Sequence, residues 1–212
     1  MHQKQNRLAV IFDDHLLFVE SFAAMLEQLA LFDTVMGFTE EKAYKSYLTK
    51  YYHTLTYCFL DYYLPNRNAL PLIEETRRIN KQSRIIIVSS VTSPAVIDHI
   101  RTFLPNGFIS KSSSSDIIVE CIRHIERSEP YLCPEIRARI PQPDLPPAAI
   151  RFTAREIEVL QLFALGLSVA ETAEKTNLSK HTIISHRRKL MQKTNSTSIT
   201  QLLAYARLHE LI

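Results

Sequence analysis

Two adjacent aspartates, Asp13 and Asp14, follow the apolar segment LAVIF near the start of the chain. Neighbouring carboxylates repel each other, so the pair needs water, helix N–H groups or a bound cation to compensate its charge. A third aspartate, Asp61, ends the segment CFLD, while a hydroxyl group, Ser89, and an ammonium group, Lys111, end or follow two further apolar segments. Carboxylates suit Mg²⁺, and the metal together with an ammonium group can neutralise a phosphoryl group during its transfer.

Apolar and amphipathic segments alternate five times in the first 128 residues. The apolar segments are RLAVIF, TVMGF, YCFLD, RIIIVSS and GFIS, and a longer segment with helical periodicity follows each of them. Five strand–helix repeats predict a doubly wound, five-stranded parallel α/β sheet with helices on both faces. In such a sheet ligands bind beyond the C-terminal ends of the strands, where these polar residues stand. We therefore expect a Mg²⁺ site in which Asp61 is the nucleophile toward phosphorus.

Proline marks a boundary between two regions. Six of the ten prolines lie between residues 130 and 147, and QPDLPPA continues neither a helix nor a central strand, so we predict a linker over residues 129–150. Beyond it we find only helical periods, which predict a small all-α domain over residues 151–212. This domain carries a net charge of +4 and the preceding 150 residues carry −1, so different partners are expected for the two regions.

Residues 1–128 resemble the receiver domain of two-component response regulators, a flavodoxin-like fold. The acidic pair, the segment CFLDYYLP, the strand-end serine and the lysine after the fifth strand carry this resemblance. The resemblance implies that Asp61 is the phosphoacceptor. It also implies a Mg²⁺ shell composed of Asp14 directly, Asp13 through a water, Asp61, and the backbone carbonyl of Tyr63.

The same resemblance implies a switch that responds to phosphorylation. In it Ser89 follows the phosphoryl group, Lys111 pairs with that group, and Phe108 changes its rotamer. Two positions depart from the family pattern: Ala69 stands where a glycine is usual, and Pro105–Asn106 replaces a pair of small residues before the fifth strand. Because alanine tolerates a positive φ poorly, we expect a different backbone after the phosphorylation loop.

The C-terminal region has helix-turn-helix spacing. One helical period begins at Ser168 and the next at Ser179, and a short turn through Asn177 joins them. The second helix places Ile183 and Leu190 on one face. Between positions 180 and 193 there are five basic residues and no acidic one, which favours contact with DNA phosphates. Charge alone leaves open a solvated basic face with no partner.

Five segments, FTAREIEVL, GLSVAE, LSKHTI, SHRRKL and QLLAYA, resemble the LuxR-type helix-turn-helix across residues 151–206. With the receiver, the chain is similar to the NarL/FixJ class of response regulators. The DNA contacts implied are base contacts from Ile184, Ser185 and Arg188, and phosphate contacts from Lys180, Thr182, Arg187, Lys189 and Lys193. Ile184 departs from the pattern, because a basic residue is common there, and its side chain suits a thymine methyl group. Asn195 replaces a usual glycine and tolerates a left-handed helix cap.

These patterns indicate a transcription regulator. Mg²⁺-dependent phosphorylation of Asp61, by a partner histidine kinase or a small phosphodonor, is expected to control homodimerisation and sequence-specific DNA binding. We do not expect an enzyme beyond the phosphorylation and dephosphorylation of the receiver itself. No apolar segment reaches the roughly 20 residues that span a bilayer, so a cytoplasmic protein without membrane contact is expected.

Two other functions fit part of the pattern. An aspartate-based phosphohydrolase also uses a strand-end aspartate with Mg²⁺, but such enzymes carry a second acid two residues later, where Tyr63 stands. The second alternative is a DNA-binding regulator whose receiver is a fixed dimerisation module that is never phosphorylated. Its support comes from Ala69 and Pro105.

Overall fold

The computed structural model describes residues 6–64, 67–140, 152–209 and 211–212. Its strands are β1 (Arg7–Phe12), β2 (Thr34–Phe38), β3 (Leu55–Asp61), β4 (Tyr63–Leu64), β5 (Arg67–Asn68), β6 (Ser83–Ser89), β7 (Gly107–Ser110) and β8 (Tyr131–Leu132). Its helices are α1 (Leu16–Gln28), α2 (Glu41–Lys50), α3 (Leu70–Ile79), α4 (Pro94–Thr102), α5 (Ser115–Glu126), α6 (Pro134–Ala138), α7 (Ala154–Ala164), α8 (Val169–Lys175), α9 (Lys180–Lys193) and α10 (Ile199–Leu208). None of the helices in this described part is long and apolar enough to cross a membrane.

The main sheet is parallel and has the strand order β2-β1-β3-β6-β7-β8. The predicted α/β fold is confirmed, and the five predicted strands are β1, β2, β3, β6 and β7. The apolar residues of β1, β3 and β6 are almost all buried because these strands lie inside the sheet, with neighbours on both edges. This order brings the C-terminal ends of β1, β3 and β6 together at one edge of the sheet.

The sheet has a sixth strand that the sequence did not predict. Tyr131 donates its N–H to the carbonyl of Asn106 at 3.0 Å, and Cys133 donates to the carbonyl of Phe108 at 3.0 Å. Tyr131, Cys133 and Ile136 are buried. The predictions of five strands and of a linker from residue 129 are therefore wrong at this point. Prolines are tolerated at the start of an edge strand and in the first turn of a helix, so they do not mark unstructured chain here.

The segment after Asp61 forms a small antiparallel ladder between β4 and β5. Ala69 follows it with φ −79° and ψ −1°, and its N–H donates to the carbonyl of Tyr62 at 2.9 Å. These angles lie in the right-handed helical region, which alanine adopts without strain. The glycine-to-alanine departure therefore requires no positive φ at this position.

At Pro105–Asn106, the second departure from the family pattern, the unusual backbone conformation lies one residue earlier. Leu104 has a φ of +50°, and the Arg77 guanidinium donates to its carbonyl at 2.5 Å. Asn106 then fixes the register of β7, because its side-chain oxygen accepts from the N–H of Ile85 at 2.8 Å and its own N–H donates to the carbonyl of Ile85 at 2.7 Å. The side chain of Asn106, at a position where a small residue is usual, thus extends the hydrogen-bond ladder between β6 and β7.

The residues described after position 151 form four helices and no strand, as predicted. Capping boxes begin α7 at Thr153 and α8 at Ser168, and the side chain of Ser179 caps α9. Asn195 ends α9 with φ +51°, the left-handed cap expected of it. By internal contacts the chain divides into one unit of residues 1–90 and 103–137 and another of residues 91–102 and 138–212. The predicted linker residues 141–150 lie outside the described residues.

Candidate phosphoacceptor site and DNA-reading helix

Asp13, Asp61 and Lys111 converge at the C-terminal ends of β1, β3 and β7. The ammonium of Lys111 lies 2.6 Å from Oδ2 of Asp13 and 3.0 Å from Oδ2 of Asp61. Both carboxylates are buried, whereas Asp14 is half-buried. The position of Lys111 follows from its strand, since its N–H continues the ladder to the carbonyl of Ser89 at 3.1 Å. Residues 50 positions apart in the sequence therefore share one ionic cluster.

The charge balance of this cluster is unfavourable for the ionised form of Asp61. Burial, and then the charge of Asp13, raise the pKa of Asp61 to about 6, although Lys111 and the N–H of Tyr63 act in the opposite direction. One ammonium group thus does not fully compensate two buried carboxylates. A dication bound beside Asp61 would favour its ionised form.

The geometry of the donors fits such a cation. Ligand atoms of Asp13, Asp14, His15 and Asp61 all lie within 4.8 Å of one another. Oδ1 of Asp61 is buried and has no hydrogen-bond partner among the described residues. A buried oxygen left unpaired by the protein is costly unless a ligand satisfies it. The three carboxylates therefore form a donor set that suits Mg²⁺.

The other predicted residues of the receiver occupy neighbouring positions. Ser89 ends β6 and is fully buried, and Phe108 is fully buried in β7. The N–H of Tyr63 reaches the Asp61 carboxylate, while a metal contact by its carbonyl stays a prediction. The rotation expected of Phe108 likewise stays a prediction.

Two residues near the site were not identified from the sequence. His15 lies with its ring against the acidic pair. Ser112, next to Lys111, donates its hydroxyl to Glu135 of α6 at 2.8 Å. The adjacency of His15 to the two aspartates was a signal that could have been used. No local pattern indicates Glu135, because its contact depends on the unpredicted strand β8.

The helix α9 has one buried face and one solvent face. Ile183, Leu190 and Thr194 are buried, as their spacing predicts. The predicted DNA contacts at the solvent side are exposed at Lys180, Ile184, Ser185, Arg188 and Lys189 and half-buried at Thr182 and Arg187. A shallow groove of about 470 Å³ lies on this side and is lined by Ile184, Arg187, Arg188, Met191 and Gln192. The sequence did not predict that Met191 and Gln192 line this groove together with Ile184.

Two of the predicted phosphate contacts already have partners within the chain. The hydroxyl of Thr182 lies 2.8 Å from that of Ser179. The ammonium of Lys193 lies 2.7 Å from Oε2 of Glu156 at the start of α7. Glu156 is only 3% exposed, so the carboxylate of this ion pair is buried. A role for Lys193 on DNA stays a prediction.

Comparison with known proteins identifies the C-terminal segment first. Residues 151–206 match the family model described as bacterial regulatory proteins, luxR family. Fimbriae Z protein of Salmonella typhimurium is 26% identical over 206 residues, which cover 96% of this chain and 97% of that protein. Transcriptional regulatory protein UhpA of Escherichia coli is 26% identical over 192 residues, covering 91% and 93%. Both similarities therefore extend through the receiver-like region.

The solved structures give the same arrangement of elements. RcsB from Salmonella enterica serovar Typhimurium, bound to promoter rprA in the presence of the phosphomimetic BeF3−, matches with a TM-score of 0.72 and 24% identity over 95% of this chain and 99% of that one. This likeness shows a shared fold. Over most of its length the chain is thus similar to proteins named as transcriptional regulators, UhpA and NarL among them, and its residues 151–206 match the luxR family model.

Proposed function

We propose that this chain is a DNA-binding transcription regulator whose activity is controlled by Mg²⁺-dependent phosphorylation of Asp61. The observation that carries the proposal is the convergence of Lys111 on Asp13 and Asp61 beside a buried, unpaired oxygen of Asp61. If Lys111 formed only a structural ion pair here, the cluster would need neither the carboxylate of Asp14 nor an unpaired oxygen on Asp61. The arrangement is suited to a group that is added to Asp61 and then held by an ammonium group.

In the proposed reaction a carboxylate oxygen of Asp61 attacks phosphorus of a phosphohistidine or acyl phosphate. An O–P bond forms, and the bond between phosphorus and the donor's nitrogen or oxygen breaks, with its electron pair leaving on the donor. Lys111, whose ammonium lies 3.0 Å from Asp61, would neutralise charge on the phosphoryl group, and Ser89 would donate its hydroxyl to that group. Bound Mg²⁺ would supply further neutralisation of that charge. The chain would act on no substrate beyond its own aspartate.

The proposed target of the C-terminal domain is DNA, read by α9 as the recognition helix. Its exposed residues include Lys180, Arg188 and Lys189, and the helix carries no acidic residue. Similarity supports this proposal, since solved RcsB structures include two dimers bound to two parallel DNAs, at 23% identity. By analogy we propose that this chain binds DNA as a homodimer, takes its phosphoryl group from a histidine kinase or small phosphodonor, and works in the cytoplasm.

The proposal is tested by intact mass after incubation with Mg²⁺ and acetyl phosphate. We expect a labile gain of one phosphoryl group, lost in Asp61→Asn because an amide is a poor nucleophile. Asp116→Asn, at an exposed aspartate of α5, is the matched control and should label as the parent does. Phosphorylated parent should show a larger dimer fraction in light scattering and a higher affinity for DNA.

Each negative result has a distinct meaning. If the parent gains no mass but binds DNA as a dimer, the receiver is a fixed dimerisation module. If Asp61→Asn still labels at the parental rate, Asp61 is not the acceptor. If the labelled protein binds no DNA from a randomised library, the assignment of α9 fails.

A further inference from the structure

His15 lies against the acidic cluster in a manner that its role in the helix does not explain. It is the N-cap residue of α1, yet its side chain makes no capping hydrogen bond to that helix. Its backbone N–H donates to Oδ1 of Asp13 at 2.9 Å. Its ring nitrogen Nδ1 lies 3.0 Å from the same oxygen and 3.2 Å from Oδ1 of Asp14. The imidazole is thus directed toward the carboxylates and not toward the helix end.

The spacing of these atoms is that of donors around one cation. In an octahedral shell with bonds of about 2.1 Å, ligand atoms lie roughly 3.0 Å apart in cis and 4.2 Å apart in trans. The ligand atoms of Asp13, Asp14, His15 and Asp61 all fall within 4.8 Å of one another. The His15 side chain is otherwise exposed, with 69% of its surface accessible. An ion can therefore reach the site from solvent on this side.

A nitrogen donor changes which ion the site favours. Mg²⁺ is bound through oxygen, whereas Mn²⁺ and the later first-row dications also accept imidazole. A neutral imidazole offers a lone pair at either ring nitrogen, and Nδ1 is the one directed at the cluster.

We propose that His15 is an additional ligand of this cation site and makes it select first-row transition dications, with Mn²⁺ as the test ion, over Mg²⁺. The inference rests on the proposed function in that the same carboxylates hold the ion. It differs from a purely electrostatic role of His15, in which the ring only balances the charge of Asp13 and Asp14. That role would change the affinities for Mg²⁺ and Mn²⁺ by similar factors.

The first test measures metal affinity and needs no phosphorylation. Metal-free full-length protein is titrated with Mg²⁺ and with Mn²⁺ by calorimetry, as parent, His15→Ala and His53→Ala. We expect His15→Ala to raise the Kd for Mn²⁺ at least about tenfold, since loss of even an outer-shell partner of a metal ligand typically costs roughly 10- to 100-fold. The Kd for Mg²⁺ should change far less. His53, an exposed histidine in the loop before β3, is the matched control and should leave both values unchanged.

The second test detects the ligand directly. Pulsed electron paramagnetic resonance of the Mn²⁺-loaded parent should show coupling to an imidazole ¹⁴N nucleus, which His15→Ala removes and His53→Ala retains. Absence of this coupling in the parent, or an equal loss of Mg²⁺ and Mn²⁺ affinity in His15→Ala, overturns the inference and leaves the carboxylate site intact. Failure of the parent to bind either ion instead contradicts the proposed function itself.

Discussion

The ammonium of Lys193 lies 2.7 Å from the buried carboxylate of Glu156 and joins the last turn of α9 to the first turn of α7. Glu156 also closes a capping box, because its Oε2 accepts the N–H of Thr153 at 2.7 Å. The same carboxylate oxygen therefore fixes the start of one helix and the end of another. A phosphate contact by Lys193 would have to compete with this internal pair.

Replacing Lys193 by methionine should destabilise the C-terminal unit. The substitution leaves the Glu156 carboxylate buried without its ammonium partner, and Lys193 is 34% exposed, so we expect a moderate loss of about 1–3 kcal/mol. Urea titration of the full chain, followed by the amide NMR signals of α7 and α9, measures it. Lys189→Met, at an exposed position of the same helix, should have little effect. Equal stability of the two variants would show that the pair contributes nothing.

The same pair predicts a pH dependence. Burial opposes ionisation of Glu156, but hydrogen bonds from Lys193 and Thr153 outweigh it and lower its pKa below the ordinary value of 4.5. A group with a depressed folded pKa stabilises the fold above its unfolded pKa, and this contribution disappears as the pH falls through the folded value. The stability difference between parent and Glu156→Gln should therefore be largest at neutral pH and shrink as the pH falls through the lowered pKa of Glu156. A difference that grows on acidification would reverse the assigned sign.

The hydrogen bond from Ser112 to Glu135 predicts that the proposed phosphorylation of Asp61 is sensed at α6. Ser112 follows Lys111 directly, so movement of the lysine toward a phosphoryl group should disturb this contact. We expect phosphodonor and Mg²⁺ to alter amide exchange of residues 131–138 in the parent and much less in Ser112→Ala. The contact should be worth about 1 kcal/mol, or roughly a fivefold change in exchange. Ser114→Ala is the control, since Ser114 is exposed and its side chain makes no capping bond.

The parts of this molecule that were predictable are those encoded locally. Alternating apolar and amphipathic segments predict the five main strands, and strand-end polar residues such as Asp61 predict where the ionic cluster with Lys111 lies. β8 was missed because a strand of only two residues carries no periodicity, and its pairing partner lies 24 positions earlier, at Gly107. The pairing of Lys193 with Glu156 was missed for a similar reason, since charge and helical phase place the lysine at the flank but do not show which acid lies there.

Arg188 should contribute to base recognition and not only to general affinity. It is exposed on the solvent face of α9, opposite the buried Ile183 and Leu190, where a guanidinium can donate two bonds to guanine. We expect Arg188→Ala to cost about 1–3 kcal/mol on the preferred site and to relax preference at one base pair per half-site. Selection from a randomised DNA library at two salt concentrations measures this. Lys189→Ala should weaken all sequences alike and reduce the salt slope by about 0.9 per subunit.

Ile184 should confer a preference for thymine through its methyl group. The side chain is 38% exposed beside Arg187 and Arg188 in a shallow groove that Met191 extends. An apolar surface among cations gains little from phosphates but can bury the C5-methyl group of thymine in the major groove. Replacing one contacted thymine by deoxyuridine removes only that methyl, so the loss should be about 0.8 kcal/mol, or roughly fourfold in Kd.

The variant Ile184→Lys identifies the residue responsible. It retains a long side chain and adds a charge, so overall affinity should rise at low salt while the penalty for deoxyuridine disappears. Ser185→Ala, at the neighbouring exposed position, should keep the penalty. If deoxyuridine scanned through every thymine of the selected site costs the same in the parent and in Ile184→Lys, the apolar groove does not read thymine. Its apolar side chains would then require another explanation.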